Sequence, residues 1–289
     1  MAEVIMAIVM NLTLAMTGAN EATLLFAGDA MMHQAQLDAA KALGHGRSYD
    51  YSDCFTPVSR MISDADYAVV NLETPLGYGG FTGYPCFCAP TAYAEALRKA
   101  GFDLFLTANN HTLDRRDKGL KLTVHLLDSL GIPHIGTYTS ADERRKRLPK
   151  IVDVNGFRIA MLNYTYGTNG FEVRSDAVVD YIDKAKIKAD IDSARAAGAE
   201  LVCAAMHWGL EYKLLPSDPQ KRLASWLIDN GVDMVIGGHP HVVQPMELRT
   251  DSTTGRRKVV VYSLGNFISN MKTRDTRGGA FAKVKVKRD

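Results

Sequence analysis

The stretch GGHPHVVQP, residues 237–245, follows directly on the mostly apolar run VDMVI at residues 232–236. A short apolar run of this kind predicts a buried strand, so the stretch begins where that strand ends. Pro240 stiffens the backbone between His239 and His241, and the two glycines in front permit a sharp bend. One histidine at a strand end needs no explanation, but two in a constrained backbone indicate a pair of ligands aimed at one place.

The order of elements along the rest of the chain predicts an α/β fold, because helix, glycine and strand recur in that order. Apolar residues with 3.6-residue spacing predict helices at 55–63, 92–100, 118–130, 184–197 and 220–230. Short β-branched runs predict strands at 23–27, 67–71, 103–107, 151–154, 157–163, 201–206, 234–236, 242–248, 258–262 and 280–286. A hairpin loop at 251–255 indicates antiparallel pairing in the last third, and therefore mixed sheets.

Polar side chains follow five of these strands at their carboxyl ends, the edge of an α/β sheet where ligands bind. They are Asp29, Glu73, Asn110 with His111, His207, and His239 with His241. Taken singly, each has an ordinary explanation: a helix cap, a surface carboxylate, a turn asparagine or a core histidine. Together they favour a common site, because chance would scatter such residues to both ends of strands and to helices.

The composition of this group indicates metal binding. Three imidazoles, two carboxylates and one carboxamide form a mixed nitrogen and oxygen set that suits zinc, manganese or iron. Six ligands exceed the four of a tetrahedral zinc site, so two metals that share one carboxylate are the economical assignment. Cys86 and Cys88 lack zinc-ribbon spacing, and both a position in an extended loop and a role as metal ligands stay possible for them. Cys203 is predicted to lie in the core.

The overall composition and charge exclude few classes of protein or partner. The chain has 289 residues, of which 46% are hydrophobic and 23% charged, as is ordinary for a soluble globular protein. The formal net charge of +2 is too close to neutral to indicate a nucleic-acid partner. The basic run RRKR at residues 144–147 is predicted to be a solvated loop, with an anion-steering patch as the alternative.

Six stretches together carry a family resemblance, and they occur in the order FAGDAMMH, VVNLETPL, LTANNHTLD, MHWGLEY, GGHPHVVQP and VYSLGNF between about residues 23 and 268. In these stretches the chain resembles the CapA family of bacterial capsule or poly-γ-glutamate biosynthesis proteins. That family is in turn similar to the calcineurin-type metallophosphoesterases. The resemblance implies a four-layer αββα sandwich with two mixed β-sheets, formed by residues 22–289 as a single domain.

The resemblance also implies a role for each ligand candidate: Asp29 and His241 bind the first metal, Asn110, His207 and His239 bind the second, and Glu73 takes the place of a bridging aspartate. It implies that His111 acts on the substrate rather than on a metal. Asp114 lies three residues after His111, where it would either fix the tautomer of that imidazole or cap a helix.

Several positions depart from the family pattern. Met31 stands where metallophosphoesterases carry a histidine ligand, and His33 or Gln34 are the candidate substitutes. Arg115 and Arg116 stand where a glycine is common, and they are predicted to bind anionic substrate, since arginine pairs well with carboxylate and phosphate oxygens.

Asn266, just past a predicted strand, is expected to orient a ligand or contact substrate, with a plain turn residue as the alternative.

The amino-terminal segment, residues 1–21, is ambiguous. Residues 4–16 are mostly apolar and residues 17–19 loosely resemble a cleavage site, but Glu3 stands where a signal peptide carries positive charge. The segment is predicted to be a degenerate export signal, or else a tail or first strand of the fold. With the resemblance, the first alternative implies an exported or envelope-associated bacterial protein.

The expected function is that of a dimetal hydrolase of phosphoesters in the synthesis, export or trimming of an anionic surface polymer, with the polymer-synthesis machinery as its partner. Three alternatives stay open. The substrate is a γ-glutamyl amide, the chain is a non-catalytic polymer-binding or assembly component with a relic metal site, or it is a phosphoesterase of central metabolism. Metal content separates the catalytic alternatives from the binding one.

Overall fold

The computed structural model describes residues 20–251 and 255–288. Residues 1–19, which carry most of the predicted export signal or tail, lie outside the described residues, and Glu21 already begins the first strand. The helices are α1 (Gln34–Leu43), α2 (Thr56–Ser63), α3 (Thr91–Lys99), α4 (Arg116–Ser129), α5 (Ala141–Arg147), α6 (Lys184–Ala196) and α7 (Asp218–Asp229). None of the helices in the described parts combines the length and apolarity that a membrane span requires.

The strands form two large sheets and two small ones. In chain order they are β1 (Glu21–Ala30), β2 (Tyr67–Leu72), β3 (Leu76–Gly77), β4 (Ala89–Pro90), β5 (Leu104–Leu106), β6 (His134–Ile135), β7 (Thr137–Tyr138), β8 (Lys150–Val154), β9 (Phe157–Thr165), β10 (Val178–Val179), β11 (Leu201–His207), β12 (Met234–Gly238), β13 (Met246–Thr250), β14 (Arg257–Val261), β15 (Asn266–Ile268) and β16 (Ala282–Lys287). A short 3-10 helix spans Arg274–Thr276.

Both large sheets are mixed, as predicted. The first has the order β15-β1-β2-β5-β6 with parallel pairs, and β16 pairs antiparallel with β1. The second has the order β13-β14-β12-β11-β9-β8, in which the four central strands are parallel and the two edge strands antiparallel. The strands β3 with β4, and β7 with β10, form the two small sheets.

The side chains of β1 explain why the sheets stack. Successive residues of a strand face opposite sides of its sheet. Phe26 therefore packs between the two sheets, against residues such as Ile159 and Ile236 of the second sheet. Leu25 faces the other way, into a cluster with helix residues such as Leu97.

The second sheet has the same arrangement on its outer face. There Val202 and Val235 pack against Ile187 and Ile191 of α6 and Leu227 of α7. The layers are therefore helices, sheet, sheet and helices, which confirms the predicted four-layer αββα sandwich.

Two local predictions are wrong. The strand predicted at 242–248 begins only at Met246, because residues 239–245 form the irregular segment that carries the two histidines.

The basic run 144–147 is not a loop but the end of α5, a helix without buried residues whose sequence therefore lacks an apolar period. Its arginines pair with acidic groups, Arg144 with Asp180 and Asp190, so this part of the run is neutralised rather than free to steer an anion.

Gly237 is expected to tolerate no side chain. A Cβ atom at this position in β12 would stand 2.0 Å from the carbonyl oxygen of Tyr262 and 2.6 Å from Trp208 Nε1. Gly237→Ala should therefore destabilise the protein by roughly 3 kcal/mol, because backbone next to β14 would have to move. Gly167→Ala is the control, since a Cβ there meets no atom within 4 Å. Thermal unfolding midpoints that fall equally in both variants would contradict this packing.

Candidate metal centre

The structure brings all six candidate ligands together at the carboxyl-terminal edge of both sheets. All six are buried, and Asp29 and Glu73 have no exposed surface at all. They come from the end of β1, the residue after β2, the loop after β5, the last residue of β11 and the segment after β12, in the order Asp29, Glu73, Asn110, His207, and His239 with His241.

Two groups among the described residues have ligand atoms within 4.8 Å of one another. One comprises Glu73, His239 and His241, and the other comprises Asp29, Glu73 and His207. Each group can hold a metal ion, and the shared Glu73 is where a bridging carboxylate would lie. These groups place His239 with His241, so the pairing of His239 with His207 on one metal stays a prediction.

The backbone after β12 is strained to present its histidines. His239 has a φ of 94° and His241 a φ of 58°, in the left-handed region that residues with a side chain rarely adopt. Gly238 has no such φ, so the expectation that the glycines provide the sharp bend is wrong. A Cβ at Gly238 would lie 2.7 Å from Asp29 Oδ1, and its absence lets the carboxylate approach. The backbone N–H of His239 then donates to Asp29 Oδ2 over 3.1 Å.

The pKa values of the two buried carboxylates are shifted in opposite directions. Burial raises the pKa of Asp29, but the hydrogen bond with His241, the charge of that imidazole and a donated bond from Asn71 outweigh it and hold the pKa well below its usual value. Burial and the adjacent charge of Asp29 raise the pKa of Glu73 well above its usual value. Glu73 Oε1 is buried and accepts no hydrogen bond, which costs free energy. A bound cation would offset that cost.

Two of the three candidate histidines, His207 and His239, are held in the neutral form that suits a metal ligand. Burial lowers the pKa of His207 well below its usual value, and burial with the charge of His241 lowers the pKa of His239 to about 3. Both imidazoles are therefore neutral near pH 7, the form that binds metals. His239 Nδ1 is buried and has no hydrogen-bond partner. This orphaned nitrogen and the orphaned Glu73 oxygen fit a metal centre.

Neighbouring amides fix the orientation of these side chains. Asn266 Oδ1 lies 3.0 Å from His241 Nδ1, and its Nδ2 donates to the Thr276 carbonyl oxygen over 2.9 Å. Asn266 thus contacts a candidate ligand, and its contact with substrate stays a prediction. Asn110 Oδ1 lies 2.8 Å from His207 Nε2, so these two candidate ligand atoms face each other.

His111 forms a buried pair with Asp114. His111 Nδ1 lies 2.8 Å from Asp114 Oδ2, and the same oxygen accepts the Phe87 N–H over 2.7 Å. No side chain caps α4, which begins at Arg116 behind Arg115, so the helix-capping alternative for Asp114 is wrong. The carboxylate is instead placed to fix the tautomer and the plane of the imidazole.

The candidate substitutes for the missing histidine ligand lie outside both groups. His33 Nδ1 accepts the Asn270 N–H over 3.2 Å, and its ring packs against Phe87. Gln34 donates to Asp38 Oδ1 over 2.9 Å on the exposed face of α1, so the proposal that Gln34 replaces the ligand is wrong. The Met31 side chain is buried in the core.

Both predicted anion-binding arginines have protein partners. Arg115 Nη2 donates to the Gly80 carbonyl oxygen and to Thr82 Oγ1 over 2.5 and 2.7 Å. The guanidinium carbon of Arg116 lies 3.4 Å from the centre of the Phe171 ring. Their contact with substrate stays a prediction.

The described cysteines do not join the centre. The Cys88 thiol is buried, and neither it nor Cys86 belongs to either of the two ligand groups among residues 20–251 and 255–288. Cys203 lies in the core between the sheets, as predicted.

Two contributors to the site were not predicted from sequence. Asn71 donates to Asp29 Oδ1 over 2.8 Å and to Glu73 Oε2 over 3.3 Å, and so ties both carboxylates to the end of β2. Tyr166 follows β9 directly, and its ring centre lies 4.6 Å from that of His239. Both residues stand at strand ends, so the rule that identified the ligands could have identified them.

Metal binding is expected to release protons. Glu73 and His241 both have a raised pKa in the metal-free protein, so a metal competes with protons that these groups hold. Apparent affinity for Mn²⁺ should therefore increase with pH, since fewer protons remain to be displaced. Titration calorimetry in two buffers of different ionisation enthalpy measures the protons released. Identical binding heats in both buffers would contradict the raised pKa of Glu73.

The comparisons with known proteins agree with this geometry. The model of a family described as bacterial capsule synthesis protein PGA_cap matches residues 23–271. The capsule biosynthesis protein CapA of Bacillus anthracis is 28% identical over 284 residues, which cover 92% of this chain and 64% of that protein. The PGA biosynthesis protein CapA of Bacillus subtilis (strain 168) is 27% identical over 271 residues, covering 91% of this chain and 67% of that protein. The chain thus spans about two thirds of the length of these relatives.

More distant similarities also occur. A probable polyglutamine synthesis accessory protein of Mycobacterium tuberculosis is 25% identical over 220 residues, covering 71% of this chain and 56% of that protein. The solved structure of TT1561 from Thermus thermophilus matches with a TM-score of 0.44 and 10% identity, over 85% of this chain and 89% of that one. A likeness at that level does not define a fold.

Two mixed sheets between helical layers, with a buried cluster of histidines, carboxylates and a carboxamide at their common edge, define an αββα sandwich protein with a candidate metal centre. The family match covers most of the chain. The chain belongs to the bacterial capsule synthesis protein family PGA_cap, which confirms the resemblance to CapA proteins.

Proposed function

We propose that this protein is a metal-dependent phosphoester hydrolase that acts in the biosynthesis of an anionic surface polymer of the poly-γ-glutamate kind. The observation that carries the proposal is the buried His111–Asp114 pair beside the ligand cluster. A purely structural metal site needs ligands but no such pair. The pair lies next to the cluster because His111 directly follows the candidate ligand Asn110, whose Oδ1 lies 2.8 Å from His207 Nε2.

Two divalent ions, of manganese, zinc or iron, would be held by the six buried ligands with Glu73 shared between them. Bound there, they would supply Lewis acidity that activates water and neutralises charge on phosphoryl oxygens. The protein contributes preorganisation: Asn71 holds both carboxylates and Asn266 holds His241, so the ligands need little rearrangement.

His111 would act as the general acid for the leaving group. With Nδ1–H bound to Asp114, the imidazolium form of His111 would present Nε2–H, which would transfer its proton to the departing oxygen or stabilise negative charge there and leave a neutral imidazole. Asp114 is itself held by a hydrogen bond from the Phe87 N–H, so it keeps the imidazole from rotating.

The biological setting follows from the relatives. Two of them are named for capsule or PGA biosynthesis, and a third for polyglutamine synthesis. By analogy, the substrate is an anionic polymer or a phosphoester linked to its synthesis, the partners are the polymer-synthesis machinery, and the place of action is the cell envelope.

Hydrolysis assays test the proposal. Protein loaded with Mn²⁺ or Zn²⁺ should hydrolyse a phosphomonoester or phosphodiester test substrate, and chelation should abolish the activity. Hydrolysis of a γ-glutamyl amide alone would replace the phosphoester assignment. If loaded protein hydrolyses neither class, the non-catalytic polymer-binding alternative holds instead.

A further inference from the structure

The loop after β9 packs over the ligand cluster. It begins with Tyr166, whose ring lies near those of His239 and His207, the latter at 6.4 Å between ring centres and nearly parallel. Three residues later, Asn169 Oδ1 accepts a hydrogen bond of 3.1 Å from Asn110 Nδ2. A side chain of this loop therefore contacts one of the six candidate ligands directly.

The hydrogen bond between Asn169 and Asn110 affects which amide atom of Asn110 faces the ligand cluster. A carboxamide carries an oxygen and an NH₂ group at equal reach, and only the oxygen has a lone pair suited to a hard metal ion. Because Nδ2 of Asn110 is bound to Asn169, its Oδ1 faces His207 Nε2 at 2.8 Å. Rotation of the amide by half a turn would turn the NH₂ group toward the ligand cluster.

The loop is built to hold Asn169 in place. Asn169 and Gly170 have φ values of 51° and 76°, and the Phe171 N–H donates to the Thr168 carbonyl oxygen over 2.9 Å. Positive φ at both central residues is the requirement of a tight turn that favours Asn-Gly. Phe171 then packs under the Arg116 guanidinium, which fixes the far side of the turn to the start of α4.

We propose that Asn169 is a positioning residue that fixes the Asn110 amide with its oxygen toward the metal. The inference rests on the metal centre of the proposed function. The turn alone would explain an asparagine at this position, so the test must remove the side chain and keep the turn.

Asn169→Gly does this, because glycine adopts a positive φ without strain. Asn155→Gly is the matched control: Asn155 has a φ of 53°, precedes Gly156 in the turn between β8 and β9, and makes its side-chain bond to the Glu21 carbonyl oxygen instead. Loss of a partner of a metal ligand costs about 10–100-fold in affinity. Since Asn169 is exposed and water can replace part of its bond, we expect about a tenfold loss.

The measurement is the Mn²⁺ dissociation constant by titration calorimetry, with the unfolding midpoint of the metal-free protein alongside. Asn169→Gly should bind Mn²⁺ more weakly and Asn155→Gly like the wild type, with similar midpoints for both. Asn169→Asp keeps the acceptor and should retain affinity.

Equal affinity of Asn169→Gly and the wild type overturns the positioning role and leaves the metal centre intact. A loss in Asn169→Asp equal to that in Asn169→Gly also overturns it, because the acceptor is still present. A wild-type protein that binds no Mn²⁺ refutes the metal centre itself, and the positioning role with it.

Discussion

His239→Ala is expected to lose most of the bound metal, with an affinity more than about 100-fold below that of the wild type. Loss of an outer partner alone costs about 10–100-fold, and His239 is a candidate ligand in its own right. It is buried and neutral, and its Nδ1 has no protein partner to compete with a metal. Metal content after gel filtration, measured by elemental analysis, gives the result.

His33→Ala is the control for this variant. His33 packs against Phe87, whose ring also contacts His111, but it belongs to neither ligand group among the described residues. Its ring nitrogen already accepts the Asn270 N–H. The control should therefore keep nearly all its metal. Equal losses in the two variants would show that His33 replaces the histidine absent at Met31.

His111→Ala is expected to keep its metal and lose about 10²–10⁴ in turnover, the usual contribution of a general acid. That loss corresponds to about 3–5 kcal/mol of barrier. The reason is the side chain's partner: His111 is bound to Asp114 rather than grouped with the other histidines. Turnover on a phosphate ester and metal content are measured on the same preparation.

Asn110→Ala is the comparison, because it should lose metal and turnover together. Asp114→Asn should resemble His111→Ala, since it removes the charge that holds the imidazole. An empty metal centre in His111→Ala would mean that His111 is itself a ligand, and the division of roles between Asn110 and His111 would be wrong.

Much of the fold could be predicted because its strands are buried on both faces. Parallel strands covered by helices appear as continuous apolar runs, and β1, β2, β11 and β12 each begin within two residues of the predicted start. Helix α5 was missed because it buries nothing, so its sequence carries no apolar period. Helix α1 was missed for a similar reason, since only Leu37 and Ala40 are buried along it.

The ligand cluster could be predicted because sheet topology, rather than local sequence, brings it together. Polar residues at the carboxyl ends of the central strands reach the same edge, which is why five of the candidates form the two ligand groups and Asn110 contacts His207. The orientation of each side chain could not be predicted. It depends on partners distant in sequence, as where Asn266 orients His241 and Asn169 contacts Asn110.

The role of the glycines before His239 was misjudged for a related reason. The conformational freedom of Gly238 can be inferred from the sequence. The close approach of the Asp29 carboxylate cannot, because Asp29 lies on another strand. The positive φ falls on the histidines instead, and a strained backbone at a ligand is recognisable only in three dimensions.

The total metal content of the purified protein decides whether the chain holds a dimetal centre. Protein prepared without chelator and analysed by inductively coupled plasma mass spectrometry should contain two divalent ions per chain, because five of the six buried candidate ligands form two groups that share Glu73, and the sixth, Asn110, contacts His207. A single ion per chain would contradict the dimetal centre. A metal-free protein that takes up neither Mn²⁺ nor Zn²⁺ on reconstitution would contradict the metal-dependent account as a whole.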